Sequence, residues 1–201
     1  PPPAQFSWIN IGSQGRKEQL LLTDQDNAIL FEDVEDEKYD EVKAYFVKLA
    51  EKVNKRLHKI GYEYCPAEMM AMNPKWCKSI TDWKSQFKGW IHSPGEKGIL
   101  MCTIFFDYNF VFGNETLVNE ISATIFEETI NNDLFFAYLG ADALKNPPPL
   151  GFFRQFLVES DGEHKDAFDI KSRALMPLID AARILSLHKG IKKSTPAADR
   201  P

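Results

Sequence analysis

The sequence predicts an α+β fold, a small mixed β-sheet with helices packed on it. Three observations lead there. Short runs such as FSWINI and TDQDNAILFE, the second rising in apolar content toward Phe31, have strand length and are bounded by turn-forming or charged residues. Residues 38–59 place Val42, Tyr45, Phe46, Leu49, Val53 and Leu57 at three- and four-residue steps, the spacing of an amphipathic helix, and Gly61 stops it. Further helix-patterned segments stand on both sides of a long apolar run, so helices and strands are interspersed.

Composition narrows the class. The 201 residues are 44% hydrophobic and 26% charged, enough for a sizeable core in one large domain or two small ones. No stretch approaches the roughly 20 consecutive apolar residues of a membrane helix, and PPPAQFSW has no basic region followed by an apolar one. A net charge of -5 opposes a nucleic-acid backbone as main partner. Cys65, Cys77 and Cys102 fit neither a zinc site nor a disulfide framework, which suits a reducing, cytoplasmic compartment and structural roles. His58, His92, His164 and His188 stand far apart, so any metal should be bound by carboxylates.

The elements follow in order. Phe6–Ile11 is a strand ended by GSQG, whose glycines allow a tight turn before the polar RKEQLLL. TDQDNAILFE is a second strand, and the acidic EDVEDEKYDE ends it and supplies the negative first turn of the long helix. Residues 62–75 are irregular. SITDWKSQFKGWIH is a helix capped by Ser79 or Thr81 that buries Trp83, Phe87 and Trp90. GILMCTIFFDYNFVFG reads as one long strand between Gly98 and Gly113, interrupted by Asp107. Helices over 115–131 and 133–144 follow, and NPPPLG ends the second. FFRQFLVE, SDGEH and KDAFDIK read as strand, turn and strand, with Asp161-Gly162 as the hairpin signal. A last helix covers 176–188 and stops at Gly190, and 191–201 has no periodicity.

The charged residues in the strands carry the chemistry. Side chains at i and i+2 share a strand face, so Asp24 and Asp26 project together. Their repulsion is unfavourable unless a cation or a proton offsets it, and carboxylate pairs suit magnesium. Gln25 and Asn27, on the opposite face, should be buried and hydrogen-bonded. Asp107 is a charge within a run that reads as buried, so it needs a partner. Either it pairs with an arginine, or its strand lies beside that of Asp24 and Asp26 and the three carboxylates hold two metal ions about 3.5 to 4 Å apart. Upstream, Gly12 permits close approach of phosphate to the backbone, Ser13 adds a hydroxyl, and Arg16 and Lys17 add positive charge. Lys171 either reaches a phosphate or is an exposed hairpin lysine.

This set, Gly-Ser followed about ten residues later by Asp-x-Asp with a third carboxylate downstream, resembles the nucleotidyltransferase superfamily typified by DNA polymerase β. GSQGRKEQLLLTDQDNAILF looks most like the nucleotidyltransferase family related to protein-PII uridylyltransferase, often found downstream of cyclic-nucleotide-binding and CBS domains. The likeness extends through IFFDYNFVFG and PLIDAARILSLHKG. It implies a polymerase-β-palm-like fold with a core over 6–113, a helical insertion at about 38–92, a second region over 114–190 and a tail at 191–201 that reads as a truncation point. It also implies that Gly12, Ser13, Arg16, Lys17 and Lys171 hold a nucleoside triphosphate, and that Asp24, Asp26 and Asp107 bind magnesium, with two ions expected and manganese as an alternative. The reaction implied is transfer of a nucleoside monophosphate to a hydroxyl of a protein or small molecule, in signal transduction. A catalytically silent nucleotide-binding regulatory module is the alternative, motivated by Gln25 and by Asn109 where relatives carry arginine.

Overall fold

A computed structural model describes residues 1–18, 24–145 and 168–191. Strand β1 (Phe6–Ile11) runs into a single helical turn, α1 (Gly12–Gly15), and β2 (Asp24–Gln25) and β3 (Asn27–Phe31) follow. Next come α2 (Asp36–Lys59), β4 (Glu63–Tyr64), β5 (Cys77–Ser79), α3 (Ile80–His92) and α4 (Glu96–Phe105). Then β6 (Tyr108–Gly113), α5 (Glu115–Thr129), α6 (Asp133–Ala143) and α7 (Met176–His188) follow. The larger sheet has the order β5-β3-β1-β6, with β1 antiparallel to both neighbours and β5 parallel to β3, so it is mixed. β2 pairs with β4 in a separate two-stranded ladder.

Strand alternation divides the core. Ile9, Ile11, Ala28 and Leu30 face one side and meet Trp83, Phe87, Ile99, Phe105, Ile121 and Phe135 of helices α3 to α6. Trp8, Ile29 and Phe31 face the other and meet Val42, Phe46 and Ala50 of α2, with the Phe31 and Phe46 rings stacked 5.4 Å apart. Asp36 and Glu37 open α2 and Arg56, His58 and Lys59 close it, in accord with its dipole. Ser79 caps α3 by accepting the amide of Asp82 at 3.2 Å.

Several elements differ from the reading of the sequence, among them the short strands β4, in the stretch read as irregular, and β5. The apolar run around Asp107 is a helix and then a strand, α4 followed by β6, with Asp107 at the junction. An unbroken apolar run carries no period, so helix and strand cannot be told apart within it. β6 also does not lie beside β3, because β1 intervenes. The segment carrying Asp24 and Asp26 is two short strands in two different ladders, with Asp26 between them. Residues 168–171, the end of the expected second hairpin strand, are not strand, and Lys171 begins a π-helical turn, Lys171–Leu175, that leads into α7; residues 152–167 of the expected hairpin lie outside the described residues.

Candidate active site

Asp24 and Asp26 share one side of the chain, and the thiol of Cys65, just beyond β4, joins them. Their ligand atoms lie within 4.8 Å of one another. Opposite them, Gln25 and Asn27 are each 1% exposed. Asn54 of α2 donates to Gln25 Oε1 at 2.7 Å and to Asn27 Oδ1 at 3.2 Å. Gln25 Nε2 donates to the carbonyls of Asn54 and Tyr62 at 3.2 Å each, and Asn27 Oδ1 accepts the Ala71 amide at 2.8 Å. The buried amides therefore anchor the alternate residues of the Asp-x-Asp stretch to α2 and leave the aspartates on the open side.

The glycine-serine turn is stitched to the same stretch. The Ile11 amide donates to the Asp26 carbonyl at 3.1 Å, and Gln14 Nε2 donates to the Asp24 carbonyl at 3.1 Å. Gly12 has φ +62, a conformation glycine adopts without strain, and a β-carbon there would stand 3.6 Å from Asp26 Oδ2. The turn and the two carboxylates thus adjoin. Arg16 continues from α1, and Lys17 is exposed with φ +60.

Burial pushes the Asp26 carboxyl above its ordinary value, and the Asp24 charge adds to the rise; a hydrogen bond from Cys65 and the positive charge of Lys171 oppose it. Exposed Lys171 thus lies within electrostatic range of Asp26. Burial pushes the Cys65 thiol up, and its hydrogen bond to Asp26 does the same, so Cys65 is a protonated donor that orients Asp26. This donor set fits a hard divalent cation: two carboxylates converge, and their repulsion is what a cation relieves.

Asp107 takes the arginine partners that were one of its two expected roles. Arg16 Nη1 and Arg183 Nη2 both donate to its Oδ2 at 2.6 Å, and Arg183 Nε donates to Oδ1 at 3.3 Å. Arg183 Nη1 in turn reaches Asp180 Oδ1 at 2.6 Å, and Arg16 Nε reaches Glu18 Oε2 at 2.8 Å. Asp107 is therefore apart from the Asp24, Asp26 and Cys65 group, although Gly15 packs directly against its backbone. Arg183, Asn54, Gln14 and Cys65 were not read from the sequence as site residues. An arginine three residues after an aspartate on the otherwise apolar PLIDAARIL was the one signal available for Arg183.

The mixed fold and the Gly-Ser turn beside paired aspartates define a nucleotidyltransferase-like class. Residues 1–97 match the family model described as "Putative nucleotidyltransferase DUF294", and residues 133–199 match that of the "Putative nucleotidyltransferase substrate binding domain". The chain belongs to this nucleotidyltransferase family, and both matches suggest nucleotidyl transfer. No curated protein and no solved structure matches the chain significantly. Among the described residues no helix is long and apolar enough to cross a membrane.

Proposed function

We propose that the chain is a magnesium-dependent nucleotidyltransferase that moves a nucleoside monophosphate from a nucleoside triphosphate to a hydroxyl of a protein or small molecule. The attachment of the glycine-serine turn to the Asp24–Asp26 stretch, through Ile11 and Gln14 and with Gly12 beside Asp26, carries the reading. Asp24 and Asp26, with Asp107 as a third carboxylate once released from its arginines, would hold the metal, which supplies charge neutralisation at the phosphates. Gly12, Ser13, Arg16, Lys17 and Lys171 hold and orient the triphosphate. The acceptor oxygen bonds to the α-phosphorus, the bond to pyrophosphate breaks, and the acceptor's proton passes to a carboxylate of the site. The resemblance to protein-PII uridylyltransferase makes a uridine nucleotide the first donor to test and supports a signalling role, in a longer protein with regulatory CBS or cyclic-nucleotide-binding domains. Three free, buried cysteines accord with a cytoplasmic setting.

Labelled nucleoside triphosphate, magnesium and cell extract should yield a labelled acceptor, and Asp26→Asn should abolish it; equal labelling by the variant overturns the reading. The engagement of Asp107 by two arginines favours a second reading, a silent nucleotide-binding module. Calorimetric nucleotide binding without pyrophosphate release would select it.

A further inference from the structure

The donors around Asp107 are arranged as for an oxyanion. Arg183 presents the side fork of its guanidinium, Nε and Nη2, to the two carboxylate oxygens, the bidentate geometry that guanidinium offers equally to phosphate. Arg16, at the end of α1, adds Nη1. Asp180 holds Nη1, the Arg183 nitrogen that does not face Asp107, and Glu18 holds Arg16 Nε, so the Arg183 fork and Arg16 Nη1 are aimed before any ligand arrives. The Arg183 side chain is only 5% exposed, and a cavity of about 790 Å³ opens beside the cluster between α5, α7 and the start of β6.

The Asp107 backbone is held firmly in place. Gly15 lies so close that a β-carbon there would be 1.9 Å from the Asp107 carbonyl oxygen, and the next residue, Tyr108, pairs with Ile11. Exchange of partners at this position is therefore a side-chain rotation. We infer that Arg16 and Arg183 form a phosphate-oxyanion site at the mouth of this cavity, and that the Asp107 carboxylate is its internal stand-in. Arg183 lies in the segment matched as substrate-binding and Arg16 in the segment matched as nucleotidyltransferase, so an anion held here touches both. The inference rests on the proposed transfer reaction only for the choice of phosphate as the anion.

Pyrophosphate binding in magnesium-free buffer with chelator tests it by calorimetry. Asp107→Asn removes the competing charge at nearly constant shape and should tighten pyrophosphate binding by about tenfold, and Arg183→Lys in that background should remove the gain by losing the fork. Unchanged or weaker binding by Asp107→Asn overturns the inference. The natural chain provides a test that does not depend on a variant folding: pyrophosphate should protect Arg16 from phenylglyoxal, read by peptide mass spectrometry. Equal modification with and without pyrophosphate also overturns it. A nucleoside triphosphate displaces pyrophosphate if the anion is the donor's, and a sugar phosphate does so if it is the acceptor's; displacement by neither counts against the site. None of these measurements involves turnover, so a chain that transfers no nucleotide still passes or fails them. Labelled transfer without a pyrophosphate gain sinks the inference alone.

Discussion

The side-chain amide of Asn54 donates to Gln25 Oε1 at 2.7 Å, which ties the long helix α2 to the residue between Asp24 and Asp26. Both partners are buried, so the bond is screened from water. Asn54→Leu leaves Gln25 Oε1 without its donor and should cost about 1–3 kcal/mol of stability. A urea unfolding curve with an unshifted midpoint would show that the network does not hold the strand. Divalent-cation affinity should fall with it, because the aspartates lose the anchor of their alternate neighbours.

Asp26 predicts a pH dependence. Its folded carboxyl is raised above 3.8, chiefly by burial, so between 3.8 and the raised value the folded chain keeps a proton that the unfolded chain releases. Stability contributed by this group is therefore present below 3.8 and lost as pH rises through the folded value. Without metal, Asp26→Asn should raise Tm at neutral pH, and the gain should vanish at the acid end. Magnesium should raise the Tm of the natural chain and leave the variant unchanged; a natural chain more stable than the variant in chelator would refute the assignment.

Lys171 opposes the rise at Asp26, so Lys171→Gln should move the Asp26 carboxyl further up. Carboxyl carbon NMR titration reads this directly. An identical titration curve would place Lys171 outside the site.

Two glycines separate close approach from mere flexibility. Gly15→Ala drives a β-carbon into the Asp107 carbonyl and should destabilise by about 3 kcal/mol, with loss of the Arg16 and Asp107 contact. Gly89, inside α3, has nothing within 4 Å of a β-carbon, and Gly89→Ala should stabilise by roughly 0.5–1 kcal/mol. Thermal denaturation of the pair gives opposite signs if the packing is as described.

Much of the fold was legible. Helices α2, α3, α5, α6 and α7 stand where apolar residues recur at helical steps, within a residue or two at their ends. The α4–β6 segment was not, because its run of apolar side chains is buried in either conformation and no period distinguishes them. At the site, the turn and the aspartate pair were legible because close sequence spacing alone brings them together. Cys65 and Asn54 were not, since a lone cysteine and a polar residue in an amphipathic helix carry no signal of what they face.

By itself the sequence determined strand β1 and helices α2, α3, α5, α6 and α7, the shared side of Asp24 and Asp26, and the requirement that Gln25, Asn27 and Asp107 find partners. Those are consequences of local periodicity and of the cost of burying unpaired polar groups. Only the tertiary structure decided who the partners are. Asn54 lies 29 residues from Gln25, and Arg183 lies 76 residues from Asp107. Contacts across such separations depend on how α2 and α7 pack against the sheet, and spacing in the chain does not encode that. The structure chose arginines for Asp107 because β1 stands between β6 and β3, away from the paired aspartates.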